Sequence, residues 1–140
     1  MRIYAVIDTN VIVASLLAHH NDSATRLVLK AVFSGVMTPL YHNGIIEEYY
    51  RVLRKKKLQQ KESDVRRIVN YFVKHGLYTD PAPADDVVSD PDDVIFYVVA
   101  LSRQDESTWL VAGNSKHYPN KCFIVTPAEM MDIIRRSRYK

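Results

Sequence analysis

Ile3-Tyr4-Ala5-Val6-Ile7-Asp8-Thr9-Asn10-Val11-Ile12-Val13 decides how this chain is read. Ile3 to Ile7 is a β-branched and aromatic run, the pattern of a strand buried on both faces of a parallel sheet. It ends on a carboxylate, Asp8, and the apolar segment from Val11 to Leu17 then starts a helix. A charge at that junction is costly to bury unpaired, so a cation or a hydrogen-bond donor has to meet it. In one reading Asp8 caps the helix that follows. In the other, Thr9 or Asn10 does the capping, Asn10 orients Asp8 from the side, and the carboxylate is left for a ligand.

Outward from this stretch, short strands alternate with amphipathic segments. Ser23 caps a second helix, which ends at Gly35, and Val36-Met37-Thr38 reads as a strand closed by Pro39. A third helix is expected from Asn43 to Lys57, with Ile45, Tyr49, Val52 and Leu53 inward. A fourth, capped by Ser63 and stopped by Gly76, carries Val65, Ile68, Val69, Phe72 and Val73 at helical spacing. Val87-Val88 reads as a short strand. Asp90-Pro91-Asp92-Asp93 opens a fifth helix with Asp90 as its cap. Thr108 to Ala112 and Cys122 to Val125 read as strands, and Thr126-Pro127-Ala128-Glu129 has the spacing of a capping box. This alternation predicts one α/β domain over residues 1–140. Its central parallel sheet carries helices on both sides, and the third and fourth helices form a projecting hairpin. In such sheets, sites form beyond the carboxyl ends of the strands.

Composition narrows the function classes. The chain has 140 residues, 47% of them apolar, enough for one core, and no apolar run of membrane-spanning length. The early charges exclude a signal-peptide core, and the lone Cys122 excludes a disulfide framework or a Cys-based zinc cage, so a reducing cytoplasm is expected. The net charge is only +3. Its distribution is more informative. Arg51, Arg54, Lys55, Lys56, Lys57, Lys61, Arg66 and Arg67 crowd one stretch, and Arg135, Arg136, Arg138 and Lys140 crowd the tail. Six aspartates, from Asp80 to Asp93, fall where there is no Lys or Arg. A polyanion partner and a cation site suit that pattern; a solvated helix face and a charged tail suit the basic blocks alone.

Two further acids stand out by position. Glu48 borders the apolar face of the third helix, three residues after Ile45, whereas Glu47 is spaced to pair with Arg51 at i,i+4. Asp93 is three residues before Phe96 and falls on the inward face, unlike Asp92; an acid there also complements the helix dipole. Asn114, after Gly113 at a strand end, is either a turn residue or a neutral oxygen ligand. Acids that meet without a shared cation repel one another, and a hard divalent ion suits carboxylates plus waters. The histidines show no zinc spacing, and no Gly-rich phosphate loop is present. Tyr49, Tyr50, Tyr71 and Tyr78 read as packing residues rather than base-stacking platforms.

Five segments in order resemble the PIN-domain family: Val6 to Val13, Ile46 to Leu53, Asp90 to Phe96, Leu110 to Pro119, and Thr126 to Glu129. The resemblance is nearest to a branch of toxin components of toxin–antitoxin systems related to VapC toxins. It implies a ribonuclease using Mg²⁺ or Mn²⁺. Asp8, Glu48 and Asp93 take the three acidic metal positions. Asn114 takes the fourth catalytic position, which is often Asp, and this weakens the case for a second metal. Thr9 and Ser115 are then placed to bond phosphate or water, with Asn10 in support. The resemblance also implies RNA as substrate, an antitoxin protein covering the hairpin through Tyr50 or Phe72, and a homodimer. The alternative is a catalytically weak RNA- or protein-binding module.

Overall fold

Asp8 stands where two halves of a sheet diverge. A computed structural model describes residues 2–86, 88–104 and 107–138. It contains β1 (Ile3–Ile7), α1 (Thr9–Leu17), α2 (Ala24–Phe33), β2 (Met37–Tyr41), α3 (Asn43–Leu53), α4 (Glu62–His75), β3 (Leu77–Tyr78), α5 (Val94–Leu101), β4 (Thr108–Val111), β5 (Ile124–Val125) and α6 (Pro127–Arg138). The five strands are all parallel, in the order β3-β2-β1-β4-β5, and helices flank the sheet. From β1 the chain builds outward to β2 and β3, then crosses back to β4 and β5. The strand order therefore reverses between β1 and β4, and that crevice is where α/β sheets place ligands. Asp8 sits at its mouth, with its backbone N–H bonded to the Val111 carbonyl at 3.0 Å.

The core explains why these segments adopt these elements. Ala5, Val6 and Ile7 of β1 and Leu110 and Val111 of β4 are fully buried, as a strand covered on both faces requires. Tyr49, Phe72 and Phe96 bring α3, α4 and α5 into one aromatic cluster; the Tyr49 ring centroid lies 5.3 Å from Phe72 and 6.1 Å from Phe96. Thr126 and Glu129 form the expected capping box, each side chain accepting from the other's backbone N–H at 2.9 and 3.2 Å.

Several boundaries differ from the sequence expectation. β2 runs through Pro39 to Tyr41. Proline is tolerated there because its N–H side faces the flank that β3 joins only from Leu40 onward. β3 was not expected: it has two residues, both exposed, and so lacks an apolar run. Gly76 precedes it for reasons of space, since a Cβ there would meet the Phe72 and Pro39 carbonyl oxygens at 2.3 and 2.6 Å. α3 stops at Leu53 rather than Lys57. A 3₁₀ turn over Lys56–Leu58 follows, which lets Leu58 bury itself where a continued helix would present only lysines. Lys61, not Ser63, occupies the cap of α4, and Ser23 caps α2 in position but makes no side-chain cap bond. The fifth helix begins with a 3₁₀ turn at Pro91–Asp93, and Asp90 caps it, accepting from the Asp92 N–H at 2.9 Å. Val73, expected inward, is exposed.

The α3–α4 hairpin lies on the core through Tyr49, Leu53, Val65, Val69 and Phe72, and its basic turn faces outward. Phe72 is fully buried and cannot contact a partner; Tyr50 is half-buried beneath the Arg54 guanidinium, 4.1 Å from its ring centroid. Tyr78 is exposed and packs only edgewise on Tyr41 and tilted on His42, so it is not a core residue. Val88 belongs to no strand, and Val87 and Lys140 lie outside the described residues. Among the described residues, no helix is long and apolar enough to cross a membrane.

Candidate active site

Asp8 is a helix cap and a buried anion at once. Its Oδ1 accepts from the Asn10 N–H at 2.9 Å, closing the first turn of α1. Its Oδ2 accepts from the Tyr118 hydroxyl at 2.6 Å. The residue is 4% exposed. Asn10 thus orients Asp8 through its backbone rather than its side chain. Tyr118 is the partner that sequence reasoning missed: it lies 110 residues away, and only the β1–β4 pairing brings it close. Burial first, then the charge of Asp8, pushes the Tyr118 phenol far above its ordinary value, so it remains a donor. Tyr49 supports the same corner, its hydroxyl donating to the Ile7 carbonyl at 2.6 Å.

Asp8 opens into a cleft of about 300 Å³ that Thr9, Asn10, Glu48, Asp90, Asp92 and Asp93 line, with Arg51, Lys55 and Lys57 on its basic side. The three acids singled out by sequence therefore share one cavity. Asp93 carries the clearest mark of crowded negative charge. Its pKa rises to about 6, through burial first and then the charges of Asp8 and Asp90, while His117 pulls it down. Glu48 is not free. Arg51 grips both its oxygens, Nε on Oε1 at 2.8 Å and Nη2 on Oε2 at 2.9 Å, and the same Nη2 reaches Asp92 Oδ2 at 3.1 Å. The expected Glu47–Arg51 pair is absent. Both spacings suit a helix, but Asp92 adds a second acid on the Glu48 side and draws the guanidinium there. Asp92, set aside by sequence as outward-facing, consequently also lines the cleft.

Asn114 stands one side chain removed. Its Oδ1 accepts from the Lys116 N–H at 3.1 Å, capping the 3₁₀ turn Ser115–His117, and its Nδ2 lies 3.3 Å from His117 Nε2. Asn114 does not line the cleft of the acids; its neighbour His117 acts on Asp93 electrostatically. Ser115 lines a separate cavity with Lys116, Tyr118 and Lys121. Part of the basic stretch is neutralised, since Glu62 binds both Arg54 and Arg66. Among the described residues, neither Lys55 nor Lys57 has an ion-pair partner.

The donor set suits a hard cation: the carboxylates line one cavity, and burial together with neighbouring negative charge raises the pKa of one of them, Asp93. Thr9 lines the cleft, and among the described residues its hydroxyl has no hydrogen-bond partner; the oxygen is closed off from solvent, so a water or phosphate oxygen reaches it only when the side chain turns toward the cleft. The ligands are not preassembled, however. Among the described residues, no three His, Cys, Asp or Glu side chains converge as a ready metal cage.

Comparison with known families decides the class. A model described as "PIN domain" matches residues 4–116. The chain belongs to the PIN-domain family. PIN domains are generally hydrolytic nucleases that need a divalent metal and act on RNA, and the cleft lies at the switch point of this PIN fold. The matched stretch includes Asp8, Glu48, Asp93 and Asn114 and ends two residues before Tyr118. No curated protein and no solved structure matches the chain.

Proposed function

We propose that this PIN-domain chain is a ribonuclease that hydrolyses RNA phosphodiester bonds with Mg²⁺ or Mn²⁺ held by Asp8, Asp93 and Glu48. The observation that carries the proposal is the shared cleft: the carboxylates of Asp8, Glu48 and Asp93 line one cavity at the β1–β4 switch point, beside Thr9. A divalent ion there supplies charge neutralisation at the phosphate and a more acidic water. The chain's own groups do the rest. Thr9, its side chain turned toward the cleft, holds a water or phosphate oxygen. With such an ion bound, Glu48 would accept the proton of the attacking water as the bond from phosphorus to the leaving oxygen breaks, and the leaving oxygen would take its proton from solvent. Lys55 and Lys57 draw the RNA backbone to the rim, an attraction that weakens with salt. Asn114 is a neutral amide outside the cleft lining, so one firmly held metal is the simpler assignment.

The test is cleavage of single-stranded RNA by purified protein in Mg²⁺ or Mn²⁺. Asp8→Asn and Asp93→Asn are each expected to lower the rate at least about 100-fold. Cleavage that survives both substitutions overturns the assignment. The binding-module alternative rests on the unassembled ligands, and calorimetry showing no Mg²⁺ or Mn²⁺ uptake would favour it.

The likeness of the motifs to VapC-related toxins supports a toxin role, with a cognate antitoxin and a homodimer. Expression of the chain alone should then arrest growth, and a small protein encoded beside it should relieve the arrest. Growth unaffected by an RNA-cleaving chain would remove the toxin role and leave the nuclease.

A further inference from the structure

Five acids line the cleft, yet among the described residues only Arg51 forms an ion pair with any of them. Arg51 grips Glu48 with two parallel bonds and reaches across to Asp92 from the same nitrogen, linking α3 to the turn that opens α5. Glu48 is 17% exposed and has both its oxygens engaged by the guanidinium, so a metal at Glu48 must compete with that positive charge. Arg51 is 48% exposed, so its guanidinium can swing into solvent without a burial penalty. With its arginine at the solvent boundary, the pair is screened by water and salt and yields to a stronger competitor. An Arg fork also matches a phosphodiester as well as it matches a carboxylate.

We infer that Arg51 is an exchangeable internal cation: it neutralises Glu48 and Asp92 in the metal-free protein, releases Glu48 when a divalent ion enters, and turns its guanidinium to the RNA phosphodiester. The inference rests on the ribonuclease reading for the identity of the phosphate, but the exchange at Glu48 stands on the pairing itself. A purely structural staple between α3 and α5 makes the opposite prediction for metal binding, because cutting a staple loosens the site.

The test is Mn²⁺ titration by calorimetry of the full chain, of Arg51→Gln, and of Arg51→Gln combined with Glu48→Gln, beside steady-state cleavage of single-stranded RNA. Arg51→Gln removes a competing positive charge and frees Glu48, so Mn²⁺ should bind about tenfold more tightly. The double variant should lose that gain. KM for RNA should rise about tenfold in Arg51→Gln as the phosphate contact is lost. Mn²⁺ binding to Arg51→Gln that is no tighter than to the native chain, or is undetectable in both, overturns the exchange. Tighter binding with no RNA cleavage by the native chain upholds the exchange and refutes the ribonuclease reading. Native cleavage without tightening does the reverse.

Discussion

The two walls of the cleft hold their acids by different physics. On the sheet wall, Asp8 is buried and met by neutral donors, the Asn10 N–H and the Tyr118 hydroxyl. On the helix wall, Glu48 and Asp92 are met by a full charge, Arg51, at the solvent boundary. Neutral donors stabilise an anion and leave its charge in place for an incoming cation. A guanidinium offsets the charge and competes with an incoming cation. The sheet wall is thus preorganised and the helix wall exchangeable, and substitutions that treat the walls alike should give unlike results.

The largest difference is expected in stability. Asp8→Ala removes a helix cap, worth about 0.5–2 kcal/mol, and strands a buried phenol, worth about 1–3 kcal/mol. A loss of about 3 kcal/mol in urea unfolding is expected. A loss below about 1 kcal/mol would mean that the sheet wall is no more rigid than the helix wall.

Tyr118→Phe comes next, because it keeps the ring packing and deletes only the hydroxyl bonded to a carboxylate. Such bonds contribute about 1.5–3 kcal/mol. The expected loss is about 2 kcal/mol, together with weaker Mn²⁺ binding, since Asp8 then loses the donor that fixes its orientation. Unchanged metal affinity would show that the cap bond to Asn10 alone positions Asp8.

This contact also marks where the sequence stopped being readable. Asp8 was legible because a charge ending a buried strand is locally anomalous, and the capping box at Thr126 and the Asp90-Pro91 start were legible because each is a bond between near neighbours. Tyr118 was not: its partner lies 110 residues away, and nothing around it signals a buried hydroxyl. Arg51 fails differently. Two spacings were open to it, and a residue 41 positions on chose between them. β3 and the burial of Leu58 depend likewise on what the surrounding elements leave open, not on local pattern.

A smaller effect concerns pH. In the metal-free protein, Asp93 titrates at about 6 against an ordinary 3.8, so the folded state holds this proton more tightly than the unfolded chain does. Its contribution therefore favours folding below pH 3.8, declines as pH rises from 3.8 to about 6, and is flat above. Asp93→Asn should remove that decline and leave the variant relatively more stable at pH 7 than at pH 3.5, with unfolding followed in chelator. The Asp8→Asn chain should shift the Asp93 midpoint downward but not to 3.8, because burial outranks the Asp8 charge. A midpoint unmoved in an NMR titration would mean that the two carboxylates do not share one field.

The smallest effect belongs to the helix wall. Glu48→Ala deletes a bidentate ion pair, but one whose arginine is 48% exposed to water, so solvent and salt screen it. Arg51 keeps Asp92, so part of even that survives. The variant should lose much less stability than Asp8→Ala, with a loss that shrinks further in high salt. The contrast with Asp8→Ala is the point of the measurement. A carboxylate that matters little to the fold, yet whose loss ends Mn²⁺ binding and RNA cleavage, would be one held in place for chemistry. If instead Glu48→Ala costs as much as Asp8→Ala, the α3–α5 link is structural and the helix wall is as fixed as the sheet wall.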